Sequence, residues 1–278
     1  DMERKLERHF TGNGNEHQCL SMASYEAWIH LYRPHSHSRE TQISYYLEGE
    51  LALFCIDAKL REINNGEYGL DDLMVLLWKR HGIDTSDGEL QGLNWSRLCD
   101  GLRELGGDEI VQYVDDLVNK KVRPPIEKSA EIYDVKVMPN NKNKEEKLGW
   151  LGLTFGSNNL KIKSFQRESP CRGFMKTGDE IIAIDGLRVS NSKSLKKLLR
   201  GRSDTSSVIT ISTHGKLTDV EIKIKPVLEY PVLFEGKGNN LWDSIKNLGF
   251  NYYFLNLQFL LLWVVNILRE NVYSFLEE

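Results

Sequence analysis

"QISYYLEGELALFCIDAKLREI", residues 42–63, decides the architecture of the chain's first half. Its apolar residues fall on two stripes, one of Leu47, Leu51, Phe54 and Ala58, the other of Leu53, Ile56, Leu60 and Ile63. Steps of three and four are the period of an α-helix, and two stripes predict a helix buried on more than one side. The loop "NNGEYG" at 64–69 closes it, because Asn and Gly accept positive φ. At its start stand two adjacent phenols, Tyr45 and Tyr46, with Gly49 one turn on. Glycine inside a helix costs about 1 kcal/mol relative to alanine, so Gly49 needs a packing or a chemical reason.

Outward from this helix the pattern stays helical to about residue 130. "LDDLMVLLWKRHG" (70–82) carries Asp71 and Asp72 in its first turn and Lys79, Arg80 and His81 in its last, matching the helix dipole at both ends. "LNWSRLCDGLREL" and "DEIVQYVDDLVNK" predict a further pair of helices, which "RPP" at 123–125 stops. Beyond residue 130 the period changes. "IYDVKVMP", "WLGLTFG", "LKIKSF", "EIIAIDG", "SVITIST" and "DVEIKIKP" are short β-like runs, with one amphipathic helix, "NSKSLKKLLRG", among them. That helix takes Asn191 or Ser192 as its N-cap, and Asp185-Gly186 marks a tight turn. The lysine-rich "NNKNKEEK" at 140–147 reads as a solvated loop.

Charge divides the chain in the same place. Residues 1–130 hold 15 Lys+Arg against 23 Asp+Glu, whereas residues 131–226 hold 18 against 11. A sign change near residue 130 predicts a domain boundary, and 278 residues suffice for two cores. The expected organisation is α+β and multidomain: a helical domain at 1–130, a β-rich domain at 131–226 and an apolar tail at 227–278. A net charge of −4 leaves no basic excess for nucleic acid. Four scattered cysteines, Cys19, Cys55, Cys99 and Cys171, form no C-x-x-C pair and point to a reducing compartment. The start, "DMERKLERHF", is charged throughout, unlike a secretory signal. With Met2 behind Asp1, it reads as the interior of a longer protein, and the expected location is cytoplasmic. Phe250 to Leu268 is a run of 19 uncharged residues, 15 of them apolar, long enough to reach across a bilayer. Asn251, Asn256, Gln258 and Asn266 weigh against a span. The alternatives are membrane association through 250–268 and docking as a buried or interfacial helix.

No complete catalytic motif is present. The chain has no H-E-x-x-H, no G-x-S-x-G and no phosphate-binding G-x-x-x-x-G-K-[ST]. His35 and His37 in "RPHSHSRE" lack a suitably spaced third ligand and read as a solvated loop. "DTSDGE" at 84–89 lacks the twelfth-position Glu of a calcium loop and reads as a turn. No metal site is expected.

Two family resemblances organise these pieces. "SPCRGFMKTGDEIIAIDGLRVSNSKSLKKLL", residues 169–199, resembles a PDZ domain of the bacterial, circularly permuted kind, with "GWLGLTFG" at 149–156 in the place of the carboxylate-binding loop. The resemblance implies that Leu151, Gly152 and Leu153 frame a groove in which a carboxy-terminal peptide adds as a strand. Loop amides converge on an anion where a glycine leaves room for them. "CLSMASYEAWIHLYRP", "ISYYLEGELALFCIDAKLREINNGEYGLDDLMVLLWKRHG" and "IVQYVDDLV…PPIEK" are similar in order and spacing to the glycyl aminopeptidase family of zinc metallopeptidases. That family places a thermolysin-like catalytic domain before a PDZ domain. It commonly has a lysine before the helical glycine, where this chain has Glu48.

The resemblance implies a carboxy-terminal portion of such an enzyme. The family's zinc ligands precede the tyrosine segment, and residues 1–44 contain none of that motif. No cofactor is expected in this chain, zinc belonging to the intact family enzyme. Zinc aminopeptidases of the leukotriene-hydrolase type carry Y-x-x-G at a helix start, which Tyr46-Leu47-Glu48-Gly49 matches. The implied role of Tyr46 is a hydrogen bond to the oxyanion of the tetrahedral intermediate, for which a neutral, rigid phenol is suited. The alternative for both tyrosines is core packing with a satisfied hydroxyl. The expected function is thus part of a zinc-dependent aminopeptidase for peptide or protein substrates with a small amino-terminal residue, inactive without the zinc motif. The competing expectation is a non-catalytic PDZ peptide-binding or scaffold protein.

Overall fold

A computed structural model describes residues 2–35, 37–82, 93–139, 148–157 and 159–247. The stretch "DTSDGE", the lysine-rich loop 140–147 and the apolar run 250–268 lie outside the described residues. Helices come first: α1 (Met2–Thr11), α2 (Leu20–Tyr25), α3 (Ser38–Thr41), α4 (Tyr45–Ile63), α5 (Leu70–Leu77), α6 (Trp95–Asn119) and α7 (Ile126–Glu131). Strands follow: β1 (Lys136–Pro139), β2 (Gly149–Trp150), β3 (Leu153–Phe155), β4 (Ile162–Phe165), β5 (Glu180–Ile184) and β6 (Leu187–Arg188). Then come α8 (Ser192–Leu199), β7 (Ser206–Thr213), β8 (Lys216–Lys223), β9 (Lys225–Pro226), β10 (Pro231–Glu235) and α9 (Asn240–Asn247).

The chain forms two compact units, and they are interleaved in sequence. One comprises Asp1–Gly14, Pro34–Thr41 and Pro139–Val232; the other comprises Asn15–Arg33, Gln42–Met138 and Leu233–Glu278.

In the helical unit α4 is the axis, packing against α2, α5, α6 and α7. It is buried on nearly every side: Leu51, Ala52, Phe54, Cys55, Ala58 and Leu60 are all sealed from solvent. Ser44 caps its amino end, its Oγ accepting from Leu47 N–H at 3.5 Å. Gly49 lines an apolar cavity of about 40 Å³ together with Leu53, Leu73, Leu77, Leu98 and Leu102. The run from Trp95 to Asn119 breaks at Gly107, at φ 70° and ψ −165°, so the expected pair of helices meets at that residue.

One carboxylate ties this unit together. Asp57 on α4, 1% exposed, accepts from Leu70 N–H at 2.6 Å, Tyr133 Oη at 2.6 Å and Arg61 Nε at 3.0 Å. Helix α5 begins after Gly69, which has no capping side chain of its own, so Asp57 serves one of its orphan amides from the neighbouring helix. A Cβ on Gly69 would fall 2.7 Å from Asp57 Oδ1 and closer still to Arg61, which explains the glycine there. Tyr133 stacks near Phe54 and Trp242, with ring centroids at 5.4 and 6.0 Å.

The β-rich unit is built on an antiparallel sheet of order β6-β5-β7-β8, with smaller pairs β3-β4 and β2-β9. Ile181, Ile184, Ile209, Ile211 and Ile222 from the sheet meet Leu195 and Leu199 of α8 in one core. Asp185 and Gly186, both with positive φ, make the tight turn between β5 and β6. Asn191 is the N-cap of α8, accepting from Ser194 N–H at 2.9 Å. Two early segments join this unit. Thr11 C=O accepts from Arg167 N–H at 2.7 Å, and Glu40 accepts from Arg172 Nη1 at 3.0 Å and Thr177 Oγ1 at 3.1 Å. All four cysteines are free thiols, as their spacing predicts.

Candidate active site

The start of α4 places Tyr45 and Tyr46 side by side, their ring centroids 4.1 Å apart. The two differ in burial: Tyr45 is 5% exposed and packs into the core, whereas Tyr46 is half-buried. A third phenol completes the corner. Tyr32, from the segment between α2 and α3, is 50% exposed and brings its hydroxyl 3.0 Å from Tyr46 Oη and 3.5 Å from Tyr45 Oη. The first distance is a good hydrogen bond between hydroxyls; the second is a weak one. Trp28 packs on the Tyr32 ring, with centroids 5.1 Å apart.

The local sequence explains the cluster. Ile43 N–H donates to Gln18 Oε1 at 3.2 Å, which holds the approach to α4 against the segment preceding α2. Glu48, buried one turn into α4, accepts from Asn15 Nδ2 at 3.1 Å. The carboxylate that stands where the family commonly has lysine is thus engaged inside the helical unit.

The three phenols shift one another. The hydroxyls of Tyr45 and Tyr46 stabilise a charge on Tyr32 and hold its phenol below the ordinary tyrosine value. Burial pushes Tyr45 well up, with its bonds to Tyr32 and Tyr46 adding to the rise. Tyr46 is pushed up chiefly by its bond to Tyr32. Tyr45 and Tyr46 are therefore neutral donors at neutral pH.

The β2–β3 loop holds the second predicted set. Leu151 is buried in the core of the β-rich unit, and its C=O accepts from Ser169 Oγ at 2.6 Å. Gly152 has φ +63°, and a Cβ there would lie 2.7 Å from Ser169 Cβ. Its C=O accepts from Gln166 N–H at 2.7 Å. Leu153 opens β3 and pairs with Phe165 of β4. Tyr46 lies in the helical unit and this loop in the β-rich unit.

Zinc, which the sequence resemblance implies for the intact enzyme, needs about three His, Cys or carboxylate ligands around one point. Among the described residues no group of three such side chains is placed to hold an ion. His35 and His37 have ring centroids 6.4 Å apart, with His37 N–H donating to His35 Nδ1, a loop contact. The described residues do not by themselves fit a zinc centre. Among the described residues no helix is long and apolar enough to cross a membrane.

Of this geometry, sequence reasoning missed Tyr32. Its signal was available as a third tyrosine in "AWIHLYRP", but no helical or strand period links residue 32 to residue 46.

Comparison with known proteins gives one family match and two structural matches. Residues 1–52 match the M61 glycyl aminopeptidase family. The fold is similar to that of an aminopeptidase N family protein from Idiomarina loihiensis, with a TM-score of 0.67 and 20% identity. That match takes in 85% of this chain and 41% of the other, so this chain spans less than half of its length. The tricorn protease matches at a TM-score of 0.19 and 17% identity, over 67% of this chain and 18% of that one, too low a similarity to carry an argument. No curated protein matches. The tyrosine corner at the start of α4 lies within the residues that match the M61 glycyl aminopeptidase family.

Proposed function

We propose that this chain supplies the oxyanion side of an aminopeptidase active site, with Tyr46 as the residue that meets the reacting carbonyl. The observation that supports this most is the placement of Tyr46. It stands at the first turn of a helix buried on all sides, half-buried, beside a core-packed twin, and inside the segment that matches the glycyl aminopeptidase family. Water addition to a peptide carbonyl moves negative charge onto its oxygen. A neutral phenol fixed on a rigid helix donates to that oxygen more strongly in the transition state than in the ground state. The substrates proposed are peptides with a small amino-terminal residue such as glycine, and ligands for a catalytic metal would come from outside the described residues.

The test is kinetic. Tyr46→Phe in an active polypeptide containing this chain lowers kcat by roughly 10²–10³ with little change in KM, the signature of a lost oxyanion donor. An unchanged kcat with glycyl-anilide substrate returns Tyr46 to core packing.

A second reading belongs to the β-rich unit, proposed as a PDZ-like peptide-binding domain. It is favoured by the positive φ of Gly152 immediately before β3, and by β3 having β4 as its sole partner strand among the described residues. Leu153 and Phe155 on β3 and Leu198 on α8 are partly buried against the same core, so each keeps some apolar surface exposed. In fluorescence polarisation, peptides with a free carboxy terminus then bind and their amidated counterparts do not. Equal binding of both, or of neither, removes this reading.

A further inference from the structure

Tyr32 is the hub of the hydroxyl cluster, and the motif that singles out Tyr46 is silent about it. Each phenol has one proton to give and two lone pairs to receive with. Tyr45 is nearly sealed from solvent, and its hydroxyl faces Tyr32. The Tyr46 hydroxyl has Tyr32 as a neighbour at 3.0 Å, and either oxygen can donate. Tyr32 itself is held from two sides. Its ring rests on Trp28, and its N–H donates to Ala27 C=O at 3.1 Å.

These contacts pose a directional problem. If Tyr46 is to donate outward, its O–H must turn away from Tyr32, which leaves its oxygen free to accept a hydrogen bond instead. Tyr32 is the group placed to provide one. We propose that Tyr32 is a positioning residue for Tyr46: its hydroxyl fixes the Tyr46 oxygen and turns its own proton toward that oxygen when Tyr46 donates to an anion. The covalent bonds stay as they are and only the hydrogen-bond direction reverses, from Tyr46→Tyr32 to Tyr32→Tyr46→oxyanion. A chain of hydroxyls aligned this way polarises each member, which strengthens the last donor. Tyr32 is half-exposed, whereas Tyr45 is nearly sealed from solvent. The bond between them lowers Tyr32 and raises Tyr46, in keeping with hydroxyls that interact directly. This inference rests on the oxyanion role proposed for Tyr46.

The experiment titrates the full chain, labelled at tyrosine ¹³Cζ, through the alkaline range by NMR. Tyr46→Phe and Tyr32→Phe assign the two resonances, and each variant keeps the ring while deleting one hydroxyl. The charged neighbours on the Tyr32 segment, Glu26 and His30 (3.7 Å apart) and Arg33, are common to all samples. In Tyr32→Phe the Tyr46 midpoint falls, because the partner that most suppressed its ionisation is gone. In Tyr46→Phe the Tyr32 midpoint rises, because a donor to its phenolate is lost. The two variants are independent, so a folding defect in one leaves the other to decide. A purely packing role for Tyr32 moves neither midpoint, and that result overturns the proposal. The titration needs no turnover: uncoupled phenols remove Tyr32 and leave the kinetic test of Tyr46 standing. Coupled phenols with an unchanged kcat in Tyr46→Phe remove the oxyanion role instead.

Discussion

Asp57 in the helical unit and Asp179 in the β-rich unit are both nearly sealed from solvent, at 1% and 4% exposure, and are satisfied differently. Asp179 accepts from Lys176 N–H at 2.8 Å within its own turn, and from Thr213 Oγ1 at 2.6 Å on β7. All its donors are neutral. Asp57 has a guanidinium beside it as well as a backbone amide and a phenol, and it ties α4 to α5 and to Tyr133, 76 residues away. The β-rich unit uses its buried acid to set a turn and fasten it to one strand through neutral donors, and the helical unit uses its acid, beside a cation, to join two helices and Tyr133. That difference suits a unit whose proposed oxyanion donor, Tyr46, must stay fixed on α4.

Three substitutions sharpen this contrast, the largest effect first. Asp57→Ala strands the Leu70 amide and the Tyr133 hydroxyl and leaves Arg61 without its carboxylate. Removing one partner of such a buried network costs about 3–5 kcal/mol, read as a lower urea midpoint. Tyr46→Phe comes next, the loss of roughly 10²–10³ in kcat described above. It should leave the urea midpoint nearly unmoved, because a half-buried hydroxyl adds little to stability. The smallest is Asp179→Ala, which strands two neutral donors at a cost of about 1–3 kcal/mol. If it costs as much as Asp57→Ala, long-range tying and the buried cation are not what separates the two acids.

The helical period of residues 42–63, the change to short strands after residue 130, the Asp185-Gly186 turn and the Asn191 cap were all legible without coordinates. Each depends on residues within four positions of one another, where backbone geometry acts directly on side-chain pattern. In the candidate site Tyr46 was legible through its Y-x-x-G context, and the predicted β2–β3 loop contains a glycine in the left-handed region. Tyr32 was not legible, because its partner is fourteen residues on and across an irregular segment.

By itself, then, the sequence determined the two kinds of local structure, their order and one phenol of the corner. Tertiary structure decided that residues 1–14 and 34–41 belong with the β-rich unit although their pattern is helical or loop-like. It also decided that Gly49 faces an apolar cavity among leucines, that Asp57 reaches Tyr133, and that Tyr32 shares a hydrogen bond with Tyr46. Periodicity records which face of an element is apolar. It does not record which distant group that face will meet, because that is settled by the packing of whole elements.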